Sequence, residues 1–275
     1  MDSISRRPPP QSALPYAAAV AGVVMLAGAA AWFYWPQPEA PVPVPVPAPA
    51  PPAKPAEAPA HYPVPAAVEP AVAPKPLPAL EASDAALAAA VAGLIGRDGF
   101  GALLRPESLV RRIVATVDNL PRRSYAQRLS PAQPVGGILV TTGQDESLAL
   151  AAQNAARYAP WVRLVQALEA KRVAAVYFHY YPLFQQAYVE LGYPQGYFNN
   201  RLVQVIDHLL EAPRPPEPLR LTVRHVLPEF ADPALEAESA GRKVLLRMGA
   251  ANAAVVKAKL AEIRKEVTAG APAAR

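Results

Sequence analysis

Residues 177–198 read YFHYYPLFQQAYVELGYPQGYF and hold nine of the chain's twenty aromatic side chains. A stretch this rich in rings is either a surface built to stack on a ligand or the inside of a folded domain. Spacing separates the two. On a helix over Arg172–Leu191, the residues Val173, Tyr177, Tyr180, Phe184, Tyr188 and Leu191 fall at intervals of three and four, which is one continuous face. Most of these rings therefore read as core. Pro182 lacks an amide hydrogen and is expected to kink or split the helix. Gly192 ends it, and Tyr193-Pro194 turns the chain. Tyr193 and Tyr197 lie in that turn, off the helical face, and with Arg201 they form the candidate binding surface. The buried tyrosine hydroxyls need partners, and Arg157, Arg201, Asn199 and Asn200 are candidates.

Outward from this stretch the same periodicity recurs. Pro106 opens a helix carrying Leu109, Val110, Ile113, Val114, Val117 and Leu120, and Pro121 closes it. Asp145 reads as the cap of a helix through Ser147 to Tyr158. Pro160 opens another with Trp161, Leu164, Val165 and Leu168 on one side. Phe198, Leu202, Val205, Ile206 and Leu209 form a further stripe. Asp232-Pro233 is an N-cap followed by proline at the first helical position, for a helix expected to run to Met248 with Gly249 as its left-handed stop. Val256, Leu260, Ile263 and Val267 mark the last helix. Ile138–Thr142 and Leu219–Val223 are short extended runs, and residues 122–144 read as a long loop. The expected fold class is all-α, with about seven or eight helices packed in two layers over residues 80–268.

The first third of the chain is different. Leu14–Trp35 carries no charge and ends in Trp32-Phe33-Tyr34-Trp35. As a helix it would run about 33 Å, enough to cross a bilayer core of about 30 Å, with its rings at the interface. Arg6 and Arg7 precede it, so the positive-inside rule places 1–13 in the cytoplasm and everything after 35 outside. Ala29-Ala30-Ala31 resembles a signal-peptide cleavage site; cleaved or not, the rest is exported. Residues 36–79 are dominated by proline, which removes backbone donors and fixes φ. They read as an extended polyproline II linker with an upper reach of roughly 136 Å. Residues 269–275 read as a disordered tail.

Charge and composition exclude several classes of chemistry. The chain has no cysteine, so disulfides, thiolate metal sites and cysteine nucleophiles are out. Residues 1–79 sum to zero charge, so the net +5 belongs to the rest. That mild excess on an exported domain argues against nucleic acid. His61, His179, His208 and His225 show no metal-ligand spacing, and no phosphate loop, dinucleotide fingerprint or nucleophile elbow is present. No cofactor or metal is expected. Asp118 sits in the last turn of a helix, where an acid opposes the macrodipole, so it is expected to pair with Arg122 or Arg123.

Five blocks stand together in order: TVDNLPRR at 116–123, NAARYAPWV at 154–162, YPLFQQAYVELGYP at 181–194, YFNNRLVQVIDHLL at 197–210 and FADPALEAESAGRKVLLRMG at 230–249. In these the chain resembles a family of proteobacterial envelope proteins known as a domain of unknown function (number 3014). The resemblance covers nearly all of 80–268 and implies an N-terminal membrane segment with a proline-rich linker. It implies no catalytic residues.

Three functions fit this layout. The leading one is a non-enzymatic adaptor or binding module, tethered to the inner membrane with its domain in the periplasm, that binds an envelope protein or peptidoglycan. The second is a peptidoglycan-active enzyme of lytic-transglycosylase type. Glu107-Ser108 and Glu238-Ser239 resemble the Glu-Ser of such sites, where a carboxylic acid protonates the glycosidic oxygen. The third is an energy transducer spanning the periplasm. It ranks last because the expected domain is all-helical and residues 14–35 lack a polar residue to engage a motor.

Overall fold

Helix α5 (Ala170–Glu190) carries the first fourteen residues of the aromatic stretch, 177–190. It buries Ala174, Tyr180, Leu183, Phe184, Ala187 and Tyr188, so the rings are core as their spacing predicts. Pro182 is exposed and the helix continues through it without splitting. A proline on the wet side loses one backbone bond where water replaces it, while the rings on the other side hold the helix in place.

The computed structural model describes residues 62–64, 76–124, 126–223 and 227–269, all within one unit, Glu57–Arg275. The expected tail at 1–13, the span at 14–35, most of the linker at 36–79, His61, His225 and residues 270–275 lie outside the described residues. Among the described residues no single helix is long and apolar enough to cross a membrane.

The described chain is mostly helical. Helices α1 (Asp84–Ile95) and α2 (Arg97–Leu103) meet at Gly96 with a bend of 113°. They are followed by α3 (Leu109–Asn119), α4 (Ala159–Ala167), α5, α6 (Phe198–Leu210), α7 (Pro233–Glu236), α8 (Ala240–Arg247) and α9 (Ala250–Thr268). Helix α9 packs on α4, α5 and α6, while α3 packs on α1, α5 and α6. One core cluster joins Leu80 and Leu87 to Leu109, Val110 and Val114 of α3 and to Phe184, Tyr188 and Phe198. A second joins Tyr158 and Val162 to Val205, Leu209, Leu245 and Met248. Two antiparallel ribbons, β1 (Thr141–Thr142) with β2 (Ala149–Leu150) and β3 (Leu221–Thr222) with β4 (Glu229–Phe230), cover one side. Their cluster is Leu150, Leu219, Leu221, Phe230 and Leu246.

Three helix boundaries differ from the sequence expectation. Helix α3 begins at Leu109, not Pro106. Ser108 takes a left-handed conformation, φ 50°, and the Asp84 carboxylate of α1 accepts from the Ser108 and Leu109 amides at 2.6 and 2.7 Å. A cap supplied from another helix leaves no local signal. The helix expected at 147–158 is a hairpin followed by a 3-10 stretch over Ala152–Tyr158. Gly143 and Asp145 have φ of 75° and 47°, and the Ser147 hydroxyl bonds both backbone groups of Gln144. The chain thus turns back into β2. The helix expected over 233–248 breaks at 237–239. Asp232 caps α7 as predicted, accepting from Ala234 N at 2.8 Å, but Ser239 caps a new helix, α8, by accepting from Arg242 N at 3.2 Å. Gly249, φ 84°, ends α8 as predicted.

The break serves packing. The first amides of α8 donate to the end of the α3 segment, Ala240 N to Arg122 O at 2.7 Å and Gly241 N to Leu120 O at 2.9 Å. A Cβ at Gly241 would lie 2.6 Å from Leu209 Cδ2 and 3.1 Å from Leu120 O, so a larger residue would force the buried leucine or the helix to shift. Within the 122–144 loop, Pro131, Gly136 and Gly137 are tied to the rest of the domain. Arg105 N donates to Pro131 O, and Arg157 donates to Gly136 O and Gly137 O at 3.0 and 2.9 Å.

Candidate functional site

The turn between α5 and α6 is built on Gln185 and Tyr188. Gln185 donates to Gly196 O at 2.7 Å, and its Oε1 accepts from Phe198 N at 2.9 Å and from the Tyr181 hydroxyl at 3.0 Å. One side chain thereby fixes the turn and caps the start of α6. Tyr193 stacks on Tyr188 with centroids 4.6 Å apart and planes at 16°. The Tyr188 ring approaches Gly196 so closely that a Cβ there would sit 2.8 Å from it.

Beneath this turn lies Asp118, 2% exposed. Arg201 Nε donates to its Oδ1 at 2.9 Å, and Arg201 also donates to the Asp118 carbonyl at 2.8 Å. Arg122 donates to Oδ2 at 2.6 Å and the Tyr193 hydroxyl to the same oxygen at 3.2 Å. The pairing with Arg122 was anticipated; the pairing with Arg201 was not. A buried carboxylate is tolerated when its lone pairs are filled by charged donors, and here they are.

The three predicted binding residues therefore part company. Tyr193 is half-buried and belongs to the Asp118 network and the core. Arg201 serves the same network. Tyr197 is 54% exposed and stands at an open cleft of about 330 Å³, shared with Tyr188, Gln195, Gly196, Arg201 and Gln204. The structure does bring the three together around one turn, with different roles.

These elements sit inside a recurring unit. Residues 109–264 match the model of the family described as "Protein of unknown function (DUF3014)". The chain belongs to that family. No curated protein and no solved structure matches the chain. The DUF3014 region holds Asp118, Arg122, Tyr193, Tyr197 and Arg201, and also Asn199 and Asn200, whose chief contact lies outside it.

That contact is Tyr62. Asn200 Oδ1 accepts from Tyr62 N at 2.8 Å, and Asn199 Nδ2 donates to Tyr62 O at 3.0 Å and to Val267 O at 3.2 Å. Asn199 is fully buried, and its Oδ1 accepts from the Tyr177 hydroxyl at 3.1 Å. Burial holds the Tyr177 phenol well above its ordinary pKa. The expectation of a plain spacer over 36–79 is corrected at this point: Tyr62–Val64 lies against the domain. The available signal was that Tyr62 is the lone aromatic residue in that proline-rich run.

The candidate acids lie apart from this site. Glu107 is exposed. Glu238 is half-buried and pairs with Arg242 at 3.2 Å. Beside it His208 Nε2 lies 2.8 Å from Ser239 Oγ, a spacing found in nucleophile–base pairs. Ser239, however, is 6% exposed and its oxygen is engaged as the α8 cap, so the pair reads as structural. Burial, reinforced by Arg242, pushes the His208 pKa below its ordinary value. Among the described residues no three His, Asp or Glu side chains form a metal-binding cluster.

Proposed function

We propose that this DUF3014 protein is a membrane-anchored, non-enzymatic binding module of the bacterial cell envelope, whose C-terminal domain meets its partner through the turn before α6. The anchor rests on the uncharged run at 14–35 and its aromatic end, and the tether on the proline content of 36–79. The observation that carries the binding role is Tyr197. It is a large ring left 54% exposed beside an open cleft, on a turn whose backbone is held by Gln185 and whose Tyr193 is stacked on Tyr188 and bonded to Asp118. Rigid aromatic side chains of this kind supply contact area at low entropic cost. The partner is an envelope protein or the peptidoglycan itself. A transglycosylase reading would need Glu107 or Glu238 to act as a general acid in a substrate groove; one is exposed and the other is engaged by Arg242.

The test is site-specific photo-crosslinking in intact cells, with the probe at Tyr197 and, as control, at the exposed Gln186. A discrete adduct at 197 that is absent at 186 supports the reading. Identical patterns at both positions overturn the site. Muropeptide release by the purified full chain, abolished by Glu238→Gln or Glu107→Gln, would make it an enzyme. Externally added protease that spares the domain in spheroplasts would overturn the topology.

A further inference from the structure

Two neighbouring asparagines grip one residue of an extended chain by its main chain. Asn200 takes the Tyr62 amide and Asn199 takes the Tyr62 carbonyl. Filling both backbone groups of a single residue fixes the direction and register of a strand-like ligand without reference to its side chain, which is how grooves hold extended peptides. Selectivity then comes from the ring. Tyr62 packs on the cluster of Ala174, Val203 and Val267, walled by Phe178 and Ile263. Arg264, whose guanidinium Asp207 holds in place through two hydrogen bonds, lies near enough to the Tyr62 hydroxyl to interact with it electrostatically. An apolar slot with a cation at its end suits a phenol better than a phenyl ring. Pro63 follows and restricts the backbone to an extended form before docking, which lowers the entropic cost.

The receiving side is built by the domain itself. Asn199 is 0% exposed and is oriented by the Tyr177 hydroxyl and the Val267 carbonyl. Nothing in this arrangement depends on Tyr62 being 137 residues away along the same chain.

We infer that the groove between α5, α6 and α9 is a recognition site for an extended Tyr-Pro peptide, and that Tyr62–Val64 is its resident ligand. This goes beyond the adaptor reading and does not depend on the anchor, the compartment or Tyr197. A ligand on the same chain has an effective concentration on the order of millimolar, so the site is closed to weaker peptides until the resident segment leaves.

The experiment uses the full chain in detergent and a fluorescent peptide with the sequence of residues 58–67, followed by anisotropy. Tyr62→Ala empties the groove, and this variant is expected to bind the peptide saturably. Wild type is expected to bind it at least about tenfold more weakly, because the resident segment competes. A peptide with alanine in place of its tyrosine is expected to lose binding to Tyr62→Ala. Adding Asn200→Ala to that variant is expected to weaken binding of the original peptide about tenfold. No binding by Tyr62→Ala overturns the proposal, as do equal binding by wild type and indifference to the peptide's tyrosine. If the Asn200 variant fails to fold, the peptide substitutions decide alone, since they leave the protein untouched.

Discussion

Replacing Arg201 by methionine should destabilise the domain far more than the same change at Arg122, although both residues pair with one carboxylate. Asp118 is 2% exposed; the Arg201 side chain is 25% exposed and that of Arg122 is 55%. Arg201→Met keeps most of the side-chain stem but removes two hydrogen bonds, one to Oδ1 and one to the Asp118 carbonyl. It leaves a buried charge short of a donor. Losing one partner of a buried pair costs about 3–5 kcal/mol. The low end applies, because Arg122 and Tyr193 remain on Oδ2. Arg122→Met removes a partner that is itself mostly exposed and leaves the Tyr193 hydroxyl on the same oxygen, so its cost should fall near the roughly 0–1 kcal/mol of exposed pairs. In urea, with a slope of about 1–3 kcal/mol per molar, the first change should lower the midpoint by roughly 1–3 M and the second by a few tenths. Far-UV circular dichroism of the full chain measures both. A double-mutant cycle with Asp118→Asn should give a coupling of about 1 kcal/mol or more for Arg201. Equal shifts for the two arginine variants would refute the assignment of Arg201 as the principal partner.

Other substitutions test neighbouring claims. Gly241→Ala puts a Cβ against Leu209 Cδ2 and the Leu120 carbonyl and should cost about 1–3 kcal/mol, read as a lowered melting temperature; an unchanged one would mean that α8 can slide. Asn199→Ala strips partners from the Tyr177 hydroxyl and the Val267 carbonyl and should cost about 1–3 kcal/mol, seen as a shifted urea midpoint. His208 gives a pH dependence. Its folded pKa lies below 6.5, so the unfolded chain holds the proton more tightly, and the contribution of neutral His208 is complete above about 6.5 and lost as pH falls through the lower folded value. The wild-type urea midpoint should therefore drop between pH 7 and 5.5 by more than that of His208→Gln, and parallel curves would refute this.

Much of the helical frame was legible because burial on a helix repeats at a fixed period. Tyr180, Phe184 and Tyr188 announce themselves as core, and Asp232-Pro233 announces a helix start by its own chemistry. Two of the three misplaced boundaries share one cause. Asp84 caps α3 from another helix, and the α8 amides meet carbonyls at Leu120 and Arg122, so the deciding contacts are far away in sequence. At 143–147 the left-handed backbone of Gly143 and Asp145 overrode a helix-like pattern. In the site, Asp118 betrayed that it needed a cation, because an acid at a helix end is unfavourable alone, and Arg122 followed from its i+4 spacing. Arg201 and the asparagine grip on Tyr62 had no such local trace: side chains on α6 meet groups 83 and 137 residues away.

The Asp84 cap separates two kinds of border. The family region opens at Leu109, the very residue whose amide is held by a carboxylate 25 positions earlier. Leu80 and Leu87, which seal the same core, also precede it, and Val267, 1% exposed, follows its end. The shared region is thus shorter than the packed unit of this chain. A fragment cut at 109–264 would begin with an uncapped helix and an open apolar flank. In this chain the flanks on either side of the shared region complete the core that the region alone leaves open.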